Sequence, residues 1–131
     1  MKQPIQITFE RCPGYLRATC EGTFPTDGRE YLRRIRAEAI RAADALVLLD
    51  CYGLSEPASE MDRFEAGVAL AEIFRHEFKI AVLYHPAHIN KFTENVAVNR
   101  GTDVLVTGDP QAALAWLLGK EADAVPAAFE V

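Results

Sequence analysis

Four sets of side chains stand at spacings that invite chemistry. His85 and His88 are three residues apart, a separation that puts two imidazoles on one helical face where they could share a metal ion, while His76 lies elsewhere. No cysteine or carboxylate stands at matching spacing beside them. His85 also precedes Pro86, where a cap or loop role is ordinary, so no metal is assigned and His85 is kept as a pocket residue. Cys51 follows Asp50. A reactive thiolate needs a cation or a helix N-terminus to lower its pKa, and Asp50 and Glu56 push the other way, which reads Cys51 as a small residue at a strand end. Ser59 heads the run Glu60-Met61-Asp62, where its oxygen can cap a helix or, phosphorylated, sit at a helix N-terminus. Glu56, Glu60 and Asp62 already crowd that position with negative charge. Arg29, Arg33 and Arg36 form a stripe on one helix, but Glu30 precedes Arg34 by four and Glu38 precedes Arg41 by three, the pairing of a solvated face.

The elements that must position these residues follow from hydrophobic periodicity. Ile5 to Phe9 and Tyr15 to Cys20 alternate apolar and polar around Pro13-Gly14, which predicts a hairpin. Thr26 or Asp27 caps a helix running to about Ala43, with Leu32, Ile35, Ala39 and Ala42 on one face. Ala45 to Leu49 has no polar alternation and reads as a strand buried on both faces, followed by Asp50-Cys51-Tyr52-Gly53 as a loop. A helix over Glu60 to Arg75 is apolar almost all round, so Ala66, Leu70 and Ile73 must meet another helix of the chain or a partner such as a second copy. Lys79 to Tyr84 reads as a buried strand, Pro86 opens a third helix through about Asn99, Asp103 to Val106 is a short strand, and Pro110 to Leu118 is a last helix. Residues 1–119 form one domain on this reading, and 120–131 a flexible tail. The order β-β-α-β-α-β-α-β-α predicts an α/β fold: a mixed sheet of about five strands, opened by an antiparallel hairpin and otherwise largely parallel, with about four helices. Ligand sites in such sheets lie beyond the carboxyl ends of the parallel strands, which here selects Asp50, Tyr52, Tyr84 and His85.

The order of elements, together with Gly14-Tyr15, Glu21-Gly22-Thr23-Phe24, the buried strand ending at Asp50, Asn99-Arg100-Gly101 and the closing run Asp109 to Leu117, resembles the STAS superfamily. Within it, the chain is similar to the SpoIIAA-like group related to bacterial anti-sigma-factor antagonists, over about residues 5–118. The antagonists carry an Asp-Ser-Ser/Thr-Gly phosphorylation motif. The equivalent stretch here is Ala58-Ser59-Glu60-Met61, which keeps Ser59 as the phosphorylatable position and lacks the flanking residues. The resemblance implies a non-catalytic binding or regulatory domain that docks a protein partner or a small apolar ligand without a cofactor. A second resemblance competes with it. Ala43 to Asp50 followed by Phe64-Glu65-Ala66-Gly67 looks like nucleoside deoxyribosyltransferases, which would make Glu65 a nucleophile attacking a sugar carbon. The opening hairpin departs from that pattern.

Composition bounds the remaining classes. The chain has 131 residues, half of them apolar, and a net charge of −5, which disfavours nonspecific nucleic-acid binding. No apolar run approaches the roughly 20 residues of a membrane span, and the polar start Met1-Lys2-Gln3-Pro4 lacks a signal-peptide core. Three cysteines cannot all pair within one chain, which suits the cytoplasm.

Overall fold

Alternating residues at the start of the chain build strands β1 (Gln6–Cys12) and β2 (Tyr15–Gly22), joined through Pro13 and Gly14, whose φ of 89° suits a residue without Cβ. Helix α1 (Arg29–Ala42), strand β3 (Leu46–Leu54), helix α2 (Glu60–Phe74), strand β4 (Lys79–Leu83), helix α3 (Phe92–Asn99), strand β5 (Asp103–Thr107) and helix α4 (Pro110–Leu118) follow. The computed structural model describes residues 5–25, 27–57 and 59–119; the expected tail at 120–131 and the Thr26 cap lie outside them. The five strands lie in sequence order, β1 antiparallel to β2 and every later pair parallel.

The pleat divides the side chains between two layers. One face of the sheet packs under α1, α2 and α3 and holds the larger core, including Leu16, Ile35, Val47, Phe74 and Ile80. The other packs under α4 alone, through Leu48, Ala81, Leu83, Ala113 and Leu117. Because α4 sits on β3, β4 and β5, second-face residues of β1 and β2 such as Glu10 and Glu21 stay exposed. Most of the apolar girth of α2 is covered inside the chain, although Met61 in its first turn stays exposed. At Gly67 a Cβ would come within 2.7 Å of Thr93 O and Val96 Cβ, so the glycine is what lets α3 approach. Leu70 and Ile73 are buried in the same core, so of the two alternatives for this face they meet another part of the same chain.

Three local expectations are corrected. Asp50 to Gly53 belong to β3 and not to a loop, because β2 continues past a bulge between Thr19 and Glu21 and pairs Glu21 with Gly53 and Gly22 with Leu54. Pro86 opens only a 3₁₀ turn to His88; Ile89 is extended, Lys91 is left-handed at φ 68°, and Asn90 Oδ1 accepts the Phe92 N–H to start α3 afresh. Finally, Gly28 is the N-cap residue of α1, while the Asp27 carboxylate accepts the Arg29 N–H just ahead of it.

Candidate functional site

Toward the carboxyl ends of β3 and β4 the larger core fails to close. A cavity of about 130 Å³ remains between the sheet, α1, α2 and the segment after β4. Its floor is Cys20 of β2, Leu49 and Cys51 of β3, Val82 of β4 and Val106 of β5, and its roof is Leu32 and Ile35 of α1 with Ala66, Ala69 and Leu70 of α2. Short side chains at 20, 51, 66 and 69 leave the room. Phe24, Pro57, Tyr84 and Ile89 line it as well. An apolar cavity of about 150 Å³ stays dry and takes up benzene, so this volume suits a ligand of that order.

Tyr84 anchors the wall. Its hydroxyl donates to Ser55 O at 2.8 Å, its ring lies 6.4 Å from that of Phe24, and burial pushes its pKa up to about 12, so it stays a neutral phenol. Cys20 and Cys51 are both buried, on neighbouring strands with a hydrogen bond between them. That bond, joined by burial, raises Cys51 well above an ordinary thiol, and against the effect of burial it lowers Cys20. Three charged residues also border the space. The Arg63 side chain, 12% exposed, has its Nε 3.3 Å from Glu60 Oε2. Lys91 Nζ donates to Val106 O and, at 2.9 Å, to Glu94 Oε1, which also accepts the Val106 N–H at 2.7 Å.

The residues selected from the sequence are not gathered at this cavity. Tyr84 lines it. Asp50 and Tyr52 point to the opposite face of β3, where Asp50 pairs with Arg17 and the Tyr52 hydroxyl donates to Gly108 O. His85 caps the 3₁₀ turn, its Nδ1 accepting the Ala87 N–H at 3.2 Å, with its ring 5.1 Å from that of His88. His88 Nδ1 lies 3.7 Å from Glu56, and among the described residues no three His, Cys, Asp or Glu side chains are grouped to hold a metal. Ser59 Oγ accepts the Asp62 N–H at 3.3 Å, the N-cap geometry. Glu65 is turned to α1, 3.7 Å from Arg29 Nη1 and outside the cavity lining.

Arg63 escaped notice in the sequence, although a signal was present: it shares a helical face with Ala66 and Leu70 at i, i+3 and i+7, a cation on the stripe that faces the cavity.

No family model matches the chain, and no curated protein matches it in sequence. Solved structures do. An anti-sigma factor antagonist from Mycobacterium paratuberculosis superposes with a TM-score of 0.61 at 11% identity, over 87% of this chain and 94% of the other. An uncharacterised DUF3478-family protein with a SpoIIAA-like fold from Shewanella loihica PV-4 does so with a TM-score of 0.51 at 20% identity, over 89% and 95%. At these identities the likeness is one of fold, and the chain has the SpoIIAA-like α/β fold that its sequence resemblance implied. No helix among the described residues is long and apolar enough to cross a membrane.

Proposed function

We propose that this protein is a non-catalytic binding module that holds a small apolar molecule in the cavity beneath α1 and α2. The observation that carries this reading is the cavity itself: about 130 Å³ of apolar-walled space at the carboxyl ends of β3 and β4, on strands whose opposite side packs closed under α4. A regulatory use, with occupancy altering how the domain docks a protein partner, draws support from the anti-sigma factor antagonist among its structural neighbours. The competing enzyme reading draws no support from this cavity, because Glu65 lies against Arg29 outside its lining.

Titration with toluene, followed by methyl NMR, tests the reading. Leu70, Val82 and Val106 signals should shift together and saturate in the native chain, and Ala66→Leu, which fills the space, should abolish the shifts. Native signals that stay put across the titration overturn it.

A further inference from the structure

We infer that the cavity's ligand is a small carboxylic acid, its apolar body inside and its carboxylate against the Arg63 guanidinium. The inference rests on the apolar-ligand reading above and adds the chemistry of the head group. It starts from charge. Of the charged side chains lining the cavity, Arg63 and Lys91 are cations and Glu94 is an anion. Glu94 is committed to Lys91 and to the Val106 N–H, and Lys91 to Glu94 and Val106 O, so these two satisfy each other.

Arg63 is held differently. Its side chain is 12% exposed, yet its ion-pair partner Glu60 is 66% exposed and meets it at Nε. A guanidinium presents five donors in a planar fork, and the strong way to satisfy the fork is a bidentate carboxylate. Its ion pair is made at Nε, so the fork has further donors for a second acceptor, and the walls around it are largely apolar. Arg63 also lies close enough to Tyr84 for its charge to act on the phenol, which places it beside the ring that closes the cavity. One cation whose counter-anion, Glu60, stands mostly in solvent suits a monoanion. A phosphate dianion would call for more donors than this wall offers.

The volume sets the size of the rest. A space near that of a benzene-binding cavity accepts one ring or a chain of about six carbons, so arylacetates and medium-chain alkanoates fit.

Isothermal titration at pH 7.5 with two acids, phenylacetate and hexanoate, and their neutral counterparts, 2-phenylethanol and hexan-1-ol, separates the two levels of the argument. The native protein should bind each acid at least tenfold more tightly than its alcohol. Arg63→Met, which keeps an unbranched apolar stem and removes the charge, should erase that difference while leaving alcohol affinity within twofold. Equal affinities in the native protein, or a preference for the acid that survives Arg63→Met, overturn the head-group assignment and leave the apolar cavity standing. Failure of all four probes on the native chain overturns the cavity reading itself. Should Arg63→Met not fold, the native protein still decides: acid affinity should fall as pH drops through the probe's own carboxyl pKa with alcohol affinity flat, and parallel pH curves for acid and alcohol overturn the assignment.

Discussion

Under α4, Leu48, Ala81, Leu83, Ala113 and Leu117 close on one another to 1% exposure or less, while on the reverse of the same strands, one residue out of phase, Leu49, Cys51 and Val82 border an open volume of about 130 Å³. Both layers are apolar, so hydrophobicity does not separate them. Side-chain size and support do. The α4 layer is one short helix laid flat on β3, β4 and β5, where leucines interlock with alanines. The opposite layer hangs from three helices that brace one another, and where α2 carries Ala66 and Ala69 opposite Cys20 and Cys51 the helices cannot drop far enough to fill the gap. A void of this kind forfeits dispersion contacts, a cost that a stabilised ligand complex can recover.

The contrast can be broken from its solid parts outward. Phe74 is fully buried at the closed end of the larger core, edge-on to Phe78 with ring centroids 5.4 Å apart. Phe74→Ala should lose about 3–5 kcal/mol in urea unfolding, the largest single effect expected, and a loss below about 1 kcal/mol would mean the core is loose well beyond the cavity. A matched pair sharpens the comparison. Ala81→Leu overpacks the closed face and should cost about 1–3 kcal/mol, whereas Ala66→Leu enters the cavity and should be neutral or stabilising by about 0.5–1 kcal/mol. Equal penalties in the two variants would show that both faces are filled.

A third probe is pH. The folded pKa of Tyr84, about 12, lies above the ordinary phenol value, so the native state holds this proton more tightly than the unfolded chain does. Its contribution is complete below pH 10 and is lost as pH rises from 10 to 12, by about 1–2 kcal/mol, and Tyr84→Phe should remove that part of the alkaline decline. Ultraviolet tyrosinate titration of the two proteins would show a missing late step in the variant; coincident curves would place the phenol in water. The smallest effect concerns the α2 cap. Ser59→Ala should cost about 1 kcal/mol in thermal unfolding and Ser59→Asp should restore most of it, because either oxygen can accept the Asp62 N–H. A cost near zero would mean that the cap adds nothing where α2 starts beside the cavity mouth.

Much of the scaffold was legible along the chain because the signals are local. Pro13-Gly14 between two alternating runs specifies the hairpin, the Ser59 cap and the Pro110 to Leu118 helix carry their own start signals, and apolar strands separated by helices demand parallel pairing. One error arose where distant residues decide: β3 runs on to Leu54 because β2 is there to pair with it. The other is local, the break before α3 at Asn90 and Lys91, whose turn geometry outweighs a helix-compatible pattern.

The candidate site was less legible than the fold. Placing it at the carboxyl ends of the parallel strands follows from topology, and Tyr84 was found that way. The pleat then sends Asp50 and Tyr52 to the far side, and position along a strand end does not reveal which face carries the space.

By itself, then, the order of residues determined the elements, their sequence and the mixed sheet, since propensity, capping and periodicity act over a few neighbours. Tertiary structure alone decided where packing fails and which charge borders the failure. A cavity is the difference between the volume that helices and strands enclose and the volume their side chains fill, and Cys20, Cys51, Ala66 and Arg63 contribute to that difference from three separate elements that meet only in the folded chain.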